Sequence, residues 1–163
     1  MELITVNEAL IRETSAFASE VFIDYYDHLI GRTQAEYMTG LFLSEDAIHK
    51  LIDEGAVFRL IEEDGRILGF CEYKKEEERL FLSKFYVHKS ERGKGIGRFM
   101  FDDVLAYAKN NGLGKIYLTV NKGNTPSYEI YLHLGFKVID SVVTDIGHGY
   151  VMDDYIMEYQ INE

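Results

Sequence analysis

The stretch that most constrains this chain is Phe85-Tyr86-Val87-His88-Lys89-Ser90-Glu91-Arg92-Gly93-Lys94-Gly95-Ile96-Gly97-Arg98. A β-type run enters a basic loop with alternate glycines and leaves it as an amphipathic helix. On that helix Ile96, Phe99, Met100, Val104, Tyr107 and Ala108 recur on one face, until Asn110-Asn111-Gly112 stops it. A loop of this kind turns its backbone N–H groups toward one spot. Its glycines let the main chain approach an anion closely, and the positive end of the helix dipole adds attraction for a phosphate. A diphosphate is the natural ligand of such a loop.

The rest of the chain supplies a layered α/β setting for this junction. Leu3 to Val6 reads as a short strand, and Asn7 is placed to cap a helix with Leu10, Ile11, Ala18, Val21, Phe22, Tyr25 and Leu29 on one face and Gly31 at its end. Thr33 followed by Glu36 forms a capping-box pattern for a second helix, and Ser44 can cap a third through Ile48, Leu51 and Ile52. Val57 to Ile61, the turn at Glu63-Asp64-Gly65-Arg66, and Ile67 to Tyr73 follow hairpin grammar; Leu80 to Val87 is the next strand. After the central helix come a strand from Lys115 to Val120 and a short helix from Asn124 to Gly135, with Pro126 harmless in its first turn. Phe136 to Val143 and Tyr150 to Ile161 then read as two strands about the turn Asp145 to Gly149. The order β, helices, β, β, β, α, β, α, β, β predicts a mixed sheet with helices on both faces.

Composition narrows the function classes. The 163 residues are 47% hydrophobic and carry a formal charge of -11, so duplex nucleic acid should be repelled. Positive charge gathers at Lys84, Lys89, Arg92, Lys94 and Arg98 around the single acid Glu91, which fits either a solvated surface or a site for a small polyanion. No apolar block approaches the ~20 residues of a membrane span and the N-terminus lacks a signal pattern, so a cytoplasmic protein without a membrane partner is expected. Cys71 is the only cysteine. It reads as a small buried hydrophobe rather than an acyl-carrying nucleophile. No metal site is expected, and His148 reads as a turn residue.

The spacing around the loop excludes two phosphate-binding motifs. A nucleotide P-loop needs Lys-Ser/Thr after its last glycine, where Arg98 and Phe99 stand. A dinucleotide fingerprint wants a third glycine at Arg98 and an acid ending the next strand, and Leu118 to Val120 offers none. The pattern Arg92-x-x-Gly95-x-Gly97 instead resembles the pyrophosphate loop of the GNAT family of N-acetyltransferases. Downstream, Asn124-Thr-Pro-Ser127-Tyr-Glu-Ile-Tyr131-Leu-His-Leu-Gly135-Phe136 resembles that family's second signature, in the right order and at the right interval. The resemblance extends over roughly residues 57–160 and reaches the N-terminal helices only in outline.

The resemblance implies a single α/β domain over residues 1–163, with a mixed, mostly antiparallel sheet flanked by helices and splayed between strands 80–87 and 115–120. It implies acetyl-CoA as co-substrate and direct attack of a primary amine on the thioester. Backbone groups of Phe85, Tyr86 and Val87 would bond the pantetheine arm and polarise the thioester carbonyl. Arg92, Gly93, Lys94, Gly95, Ile96, Gly97 and Arg98 would cradle the pyrophosphate, with Asn121, Asn124 and Ser127 among the cofactor-binding positions. Tyr131 would be the general acid for a departing thiolate, whose pKa is about 8.5.

The general base is open. Glu72, between Cys71 and Tyr73, is a candidate by position, and an outward surface carboxylate is the competing reading. The segment Asp145 to Tyr155, with Asp145, Asp153 and Asp154, resembles the ending of bacterial relatives that acetylate spermidine and spermine. Such acids would suit a polycation, and a solvated hairpin is an equal alternative. The acceptor is therefore expected to be a small amine such as a polyamine. A protein or peptide amine is the alternative acceptor, and a catalytically silent acyl-CoA sensor the alternative function. The final strands mediate dimers in relatives, which makes a homodimer an expectation here.

Overall fold

The computed structural model describes residues 1–161; the last two residues of the expected domain, 162 and 163, lie outside the described residues. Strand β1 (Glu2–Thr5) lies antiparallel to β2 (Val57–Glu63), and helices α1 (Ile11–Ile30), α2 (Arg32–Phe42) and α3 (Glu45–Asp53) intervene in sequence. Two of the expected helix starts differ. Asn7 precedes a short 3-10 turn, Glu8–Leu10, and makes no side-chain cap, so the α-helix proper starts at Ile11. The Thr33–Glu36 capping box does not form, because Gly31, which ends α1, leads directly into Arg32 as the first residue of α2; Glu36 pairs with Arg32 at 3.4 Å instead. Ser44 does cap α3, its Oγ accepting from the Ala47 N–H at 3.1 Å.

Strands β2, β3 (Arg66–Glu76) and β4 (Arg79–Val87) form an antiparallel meander. Beyond the loop come α4 (Ile96–Asn110), β5 (Lys115–Asn121), α5 (Thr125–Leu134), β6 (Lys137–Gly147) and β7 (Tyr150–Gln160). The seven strands make one sheet in the order β1-β2-β3-β4-β5-β7-β6, antiparallel everywhere except between β4 and β5. Strand β6 runs on to Gly147, leaving His148 in a tight turn with φ 54°. One core packs α4 and α5 against the sheet through Met100, Phe101, Val104, Tyr131 and Phe136. The other packs α1, α2 and α3 against the opposite face through Phe22, Tyr26, Met38 and Ile48, with Phe58, Leu60 and Phe70 from the sheet. Among the described residues no helix is long and apolar enough to cross a membrane.

Two features of β4 position the site. Its pairing with β5 is confined to Arg79, Phe81 and the residue between them, so the strands part beyond Phe81 as expected. The cause is visible on the other edge: Glu72 of β3 faces Lys84 while Tyr73 faces Leu82, which leaves Ser83 as an extra, bulged residue. A bulge bends its strand and shifts side-chain parity by one. Leu80 and Leu82 point to the α4 core before it and Phe85 and Val87 after it, whereas Lys84 and Tyr86 turn toward α1.

Close packing fixes the same region from β3. A Cβ added to Gly69 would lie 2.8 Å from the Tyr86 carbonyl oxygen. Backbone cannot withdraw as a flexible side-chain end can, so Gly69→Ala is expected to destabilise by about 1–3 kcal/mol. A thermal melt measures this, and an unchanged midpoint would mean that β4 tolerates displacement there.

Candidate active site

The loop residues from Arg92 to Gly97 form one end of a cavity of about 220 Å³. Gly93 and Gly95 hold φ values of 78° and 84°, in the left-handed region that favours glycine, and nothing lies within 4 Å of where a Cβ would project. Gly95 is also the N-terminal cap of α4, so unpaired N–H groups and the positive helix end share this spot. The far end is apolar. Phe85, Val87, Ile96, Ile130 and Tyr131 line it, together with Tyr25, Tyr86, Pro126 and Ser127. The cavity fits a long ligand with an anionic middle and a thin arm. The open loop has the geometry to accept phosphates, and the edge of β4 released from β5 has free groups to bond the arm.

Ten of the expected cofactor-binding positions meet here: Phe85, Tyr86, Val87, Arg92, Gly93, Gly95, Ile96, Gly97, Ser127 and Tyr131. Arg92 lays its guanidinium 4.9 Å from the Tyr25 ring centroid, an aromatic support the sequence did not signal. Lys94 and Arg98 do not line the cavity. Lys94 bonds Glu91 at 2.7 Å and Arg98 pairs with Asp102 at 3.2 Å, both on exposed side chains. Glu91 is buried between Lys94 and Arg66, whose positive charges, with the Lys94 hydrogen bond foremost, hold its carboxyl below the usual range. The acid inside the basic loop is thereby neutralised.

Asn124 acts as a brace. Its Oδ1 accepts from the Ser127 N–H at 3.2 Å, capping α5, and from the Tyr25 hydroxyl at 2.6 Å, while its Nδ2 donates to the Tyr26 hydroxyl at 3.0 Å. It therefore ties α5 to α1 across the gap between β4 and β5. Asn121 sits on the other side of that gap.

A second cavity, about 390 Å³, opens on the α1 face of the sheet, and Tyr86 lines both cavities. Its walls are Phe22, Ile30, Met38, Phe42, Leu43, Leu51, Phe81 and Met152; Tyr26, Gln34, Ser83, Lys84, Thr119, Asn121 and Asp154 contribute polar groups. Glu72 is not the outward carboxylate of the competing reading. It is 2% exposed and paired with Lys84, the residue opposite it on β4, and it does not line the cavity.

Asp154 does line it. This carboxylate on β7 lies opposite Asn121 and is 6% exposed. Burial, reinforced by Asp153, pushes its pKa up to about 6, against a weaker lowering by Lys122. A carboxyl of that pKa can accept a proton near neutral pH. The sequence displays Asp154 only as one acid in a charged hairpin; in the fold it lines a cavity walled by Phe22 and Tyr26 of α1 and Gln34 and Met38 of α2.

The tyrosines carry the opposite bias. Burial raises the Tyr131 hydroxyl well above its ordinary value, with Tyr26 and Tyr25 adding to the effect. The Tyr26 hydroxyl is pushed up to about 12, again chiefly by burial. These groups keep their protons at neutral pH and can donate them. Cys71 is fully buried and its thiol is likewise pushed up by burial, which makes it a packing residue. The site thus places a glycine loop at one end, a protonated tyrosine on one side of Tyr86 and a carboxyl of raised pKa on the other.

Comparison with known proteins gives this geometry a context. A family model described as acetyltransferase (GNAT) family matches residues 17–136. Streptothricin acetyltransferase of Streptomyces lavendulae is 31% identical over 85 residues, 51% of this chain and 45% of its own length. Tyramine N-feruloyltransferase 4/11 of Nicotiana tabacum is 27% identical over 84 residues, 52% of this chain and 35% of its own length. The chain thus spans less than half the length of these two curated relatives. The crystal structure of the PaiA N-acetyltransferase of Thermoplasma acidophilum in complex with coenzyme A has a TM-score of 0.83 at 21% identity, covering 98% of each chain.

Proposed function

Because the chain belongs to the acetyltransferase (GNAT) family, we propose that it transfers an acetyl group from acetyl-CoA to an amine held in the larger cavity. The observation that carries this reading is the meeting of two cavities at Tyr86, one running from the phosphate loop to Tyr131 and the other holding Asp154. Acetyl-CoA supplies an activated acetyl group as a thioester when bound at the loop. The coenzyme A complex of the PaiA structure supports the same ligand here. The free edge of β4 at Phe85, Tyr86 and Val87 orients the arm, and Tyr86 stands where the two ligands meet.

Asp154 takes one proton from the acceptor ammonium, so that the nitrogen attacks as a neutral amine. As the N–C bond forms and the C–S bond breaks, Tyr131 Oη gives a proton to the departing sulfur. The acylated nitrogen sheds its extra proton, which returns through solvent to the Tyr131 oxygen, and Asp154 releases its proton to solvent, so ammonium and thioester become amide, free thiol and one proton. Glu72, held by Lys84, acts in this reading as the counter-ion of a lysine rather than as the base.

The finer reading of the acceptor as a polyamine rests on the acids of the C-terminal hairpin. Asp145 is exposed and accepts from the Gly147 N–H, and Asp153 is exposed and pairs with Lys122 at 3.1 Å. Only Asp154 of the three lines the cavity. That supports an amine with one cationic centre at the reacting end. The names of the two curated relatives, one acting on streptothricin and one on tyramine, both support an amine acceptor.

The test is thiol release from acetyl-CoA with a panel of amines, alongside calorimetric titration of coenzyme A. Amine-dependent release is the expected outcome. Tight binding of acetyl-CoA without release in the presence of any amine would establish the sensor reading instead.

A further inference from the structure

Resting on the larger cavity being the acceptor site, we infer that the acceptor is a monoamine carried on an apolar, aromatic body, an arylalkylamine in chemical class. A cavity of about 390 Å³ is within the range of small-molecule sites, which are mostly apolar with a few placed polar groups. The rings of Phe22, Phe42 and Phe81 and the thioethers of Met38 and Met152 surround it, and rings and thioethers both favour a flat aromatic guest. Phe22 is itself stacked on Tyr26 at 4.5 Å between centroids, so this wall is a rigid aromatic surface.

Charge selects against the alternatives. Among the described residues two ionic side chains reach the cavity, Asp154 and Lys84. Glu72 already compensates Lys84 from beneath, which leaves one carboxylate facing the guest without a cation of its own in the cavity. One ammonium finds its partner there. Each further ammonium of a polyamine, or a charged residue of a basic peptide, would lie against apolar wall or beside Lys84, and a desolvated charge without a partner is strongly disfavoured. Aromatic amines lose nothing by the same burial.

The experiment compares kcat/KM for phenethylamine and tyramine with that for butylamine, spermidine and a lysine-rich peptide, using the intact protein and acetyl-CoA. An aromatic amine is expected to exceed spermidine by about tenfold or more, the ratio that a difference of 1.4 kcal/mol in recognition produces. A second arm uses Met152→Glu, which puts another carboxylate on the same face of β7, two residues from Asp154. Its expected signature is a swing of the phenethylamine-to-spermidine ratio toward spermidine. Preference for spermidine or the peptide in the parent protein overturns this inference while leaving acetyl transfer intact. Thiol release that none of the amines stimulates overturns the transfer reading, and the inference with it. Phenethylamine binding to the coenzyme A complex, tighter than spermidine binding by calorimetry and with that order reversed in Met152→Glu, supports the inference without relying on turnover; spermidine binding more tightly in the parent overturns it.

Discussion

Tyr131→Phe is expected to lower amine-dependent thiol release by about two to four orders of magnitude, the usual worth of a positioned proton donor, while coenzyme A still binds. The substitution isolates the hydroxyl. The Tyr131 ring sits edge-on to Phe85 and Phe136 at 6.3 and 5.8 Å between centroids, and phenylalanine preserves both contacts. Burial and the neighbouring Tyr26 and Tyr25 keep this hydroxyl protonated throughout the working pH range, so the parent should show no loss of rate from its ionisation near neutrality. Stopped thiol release, together with an unchanged coenzyme A affinity and melting temperature, is the combination that assigns the proton to Tyr131. A variant as fast as the parent would move the donor elsewhere.

Asp154→Asn should have an effect of similar size on kcat/KM, about 10²-fold or more, and should also remove a titration. In the parent, the carboxylate form accepts the proton, so kcat/KM rises with pH through about 6 and levels off above it. The variant should lack that limb. Stability moves the other way. Folding raises this pKa from its ordinary value, so between roughly pH 4 and 6 the native state holds the proton more tightly than the unfolded chain. The contribution of this group therefore favours the fold at low pH and is lost as pH rises through about 6. Asparagine removes the buried charge, and the variant should melt higher than the parent at pH 8. A variant that is both inactive and less stable at pH 8 would instead mark Asp154 as a structural residue.

Legibility in the sequence followed the range of the interactions. Ser44 is legible as a cap because its partner, Ala47, is three residues away. The Thr33–Glu36 box had the same local form and did not appear, because the chain enters α2 straight from Gly31, whose position is set by the end of α1. The parity change at Ser83 left no mark in Leu80-Phe81-Leu82-Ser83-Lys84-Phe85-Tyr86-Val87, where apolar residues occur in both phases. It is nonetheless what sends Tyr86 toward the α1 face of the sheet and Phe85 toward the α4 face.

The sequence by itself determined the strand-glycine loop-helix junction, since fourteen consecutive residues from Phe85 to Arg98 carry the strand, the glycines and the helix start. It also determined the order of elements, which follows from hydrophobic period and turn residues. Only the tertiary structure decided what faces what. Tyr25 meets Asn124 across 99 positions of sequence, Glu72 is buried under Lys84, and Asp154 is singled out from its acidic neighbours by helices that precede it by more than 100 residues. Local patterns encode which residues share a strand or a helix face. Burial and charge compensation, which set the pKa values, arise only when distant elements close on one another and exclude water.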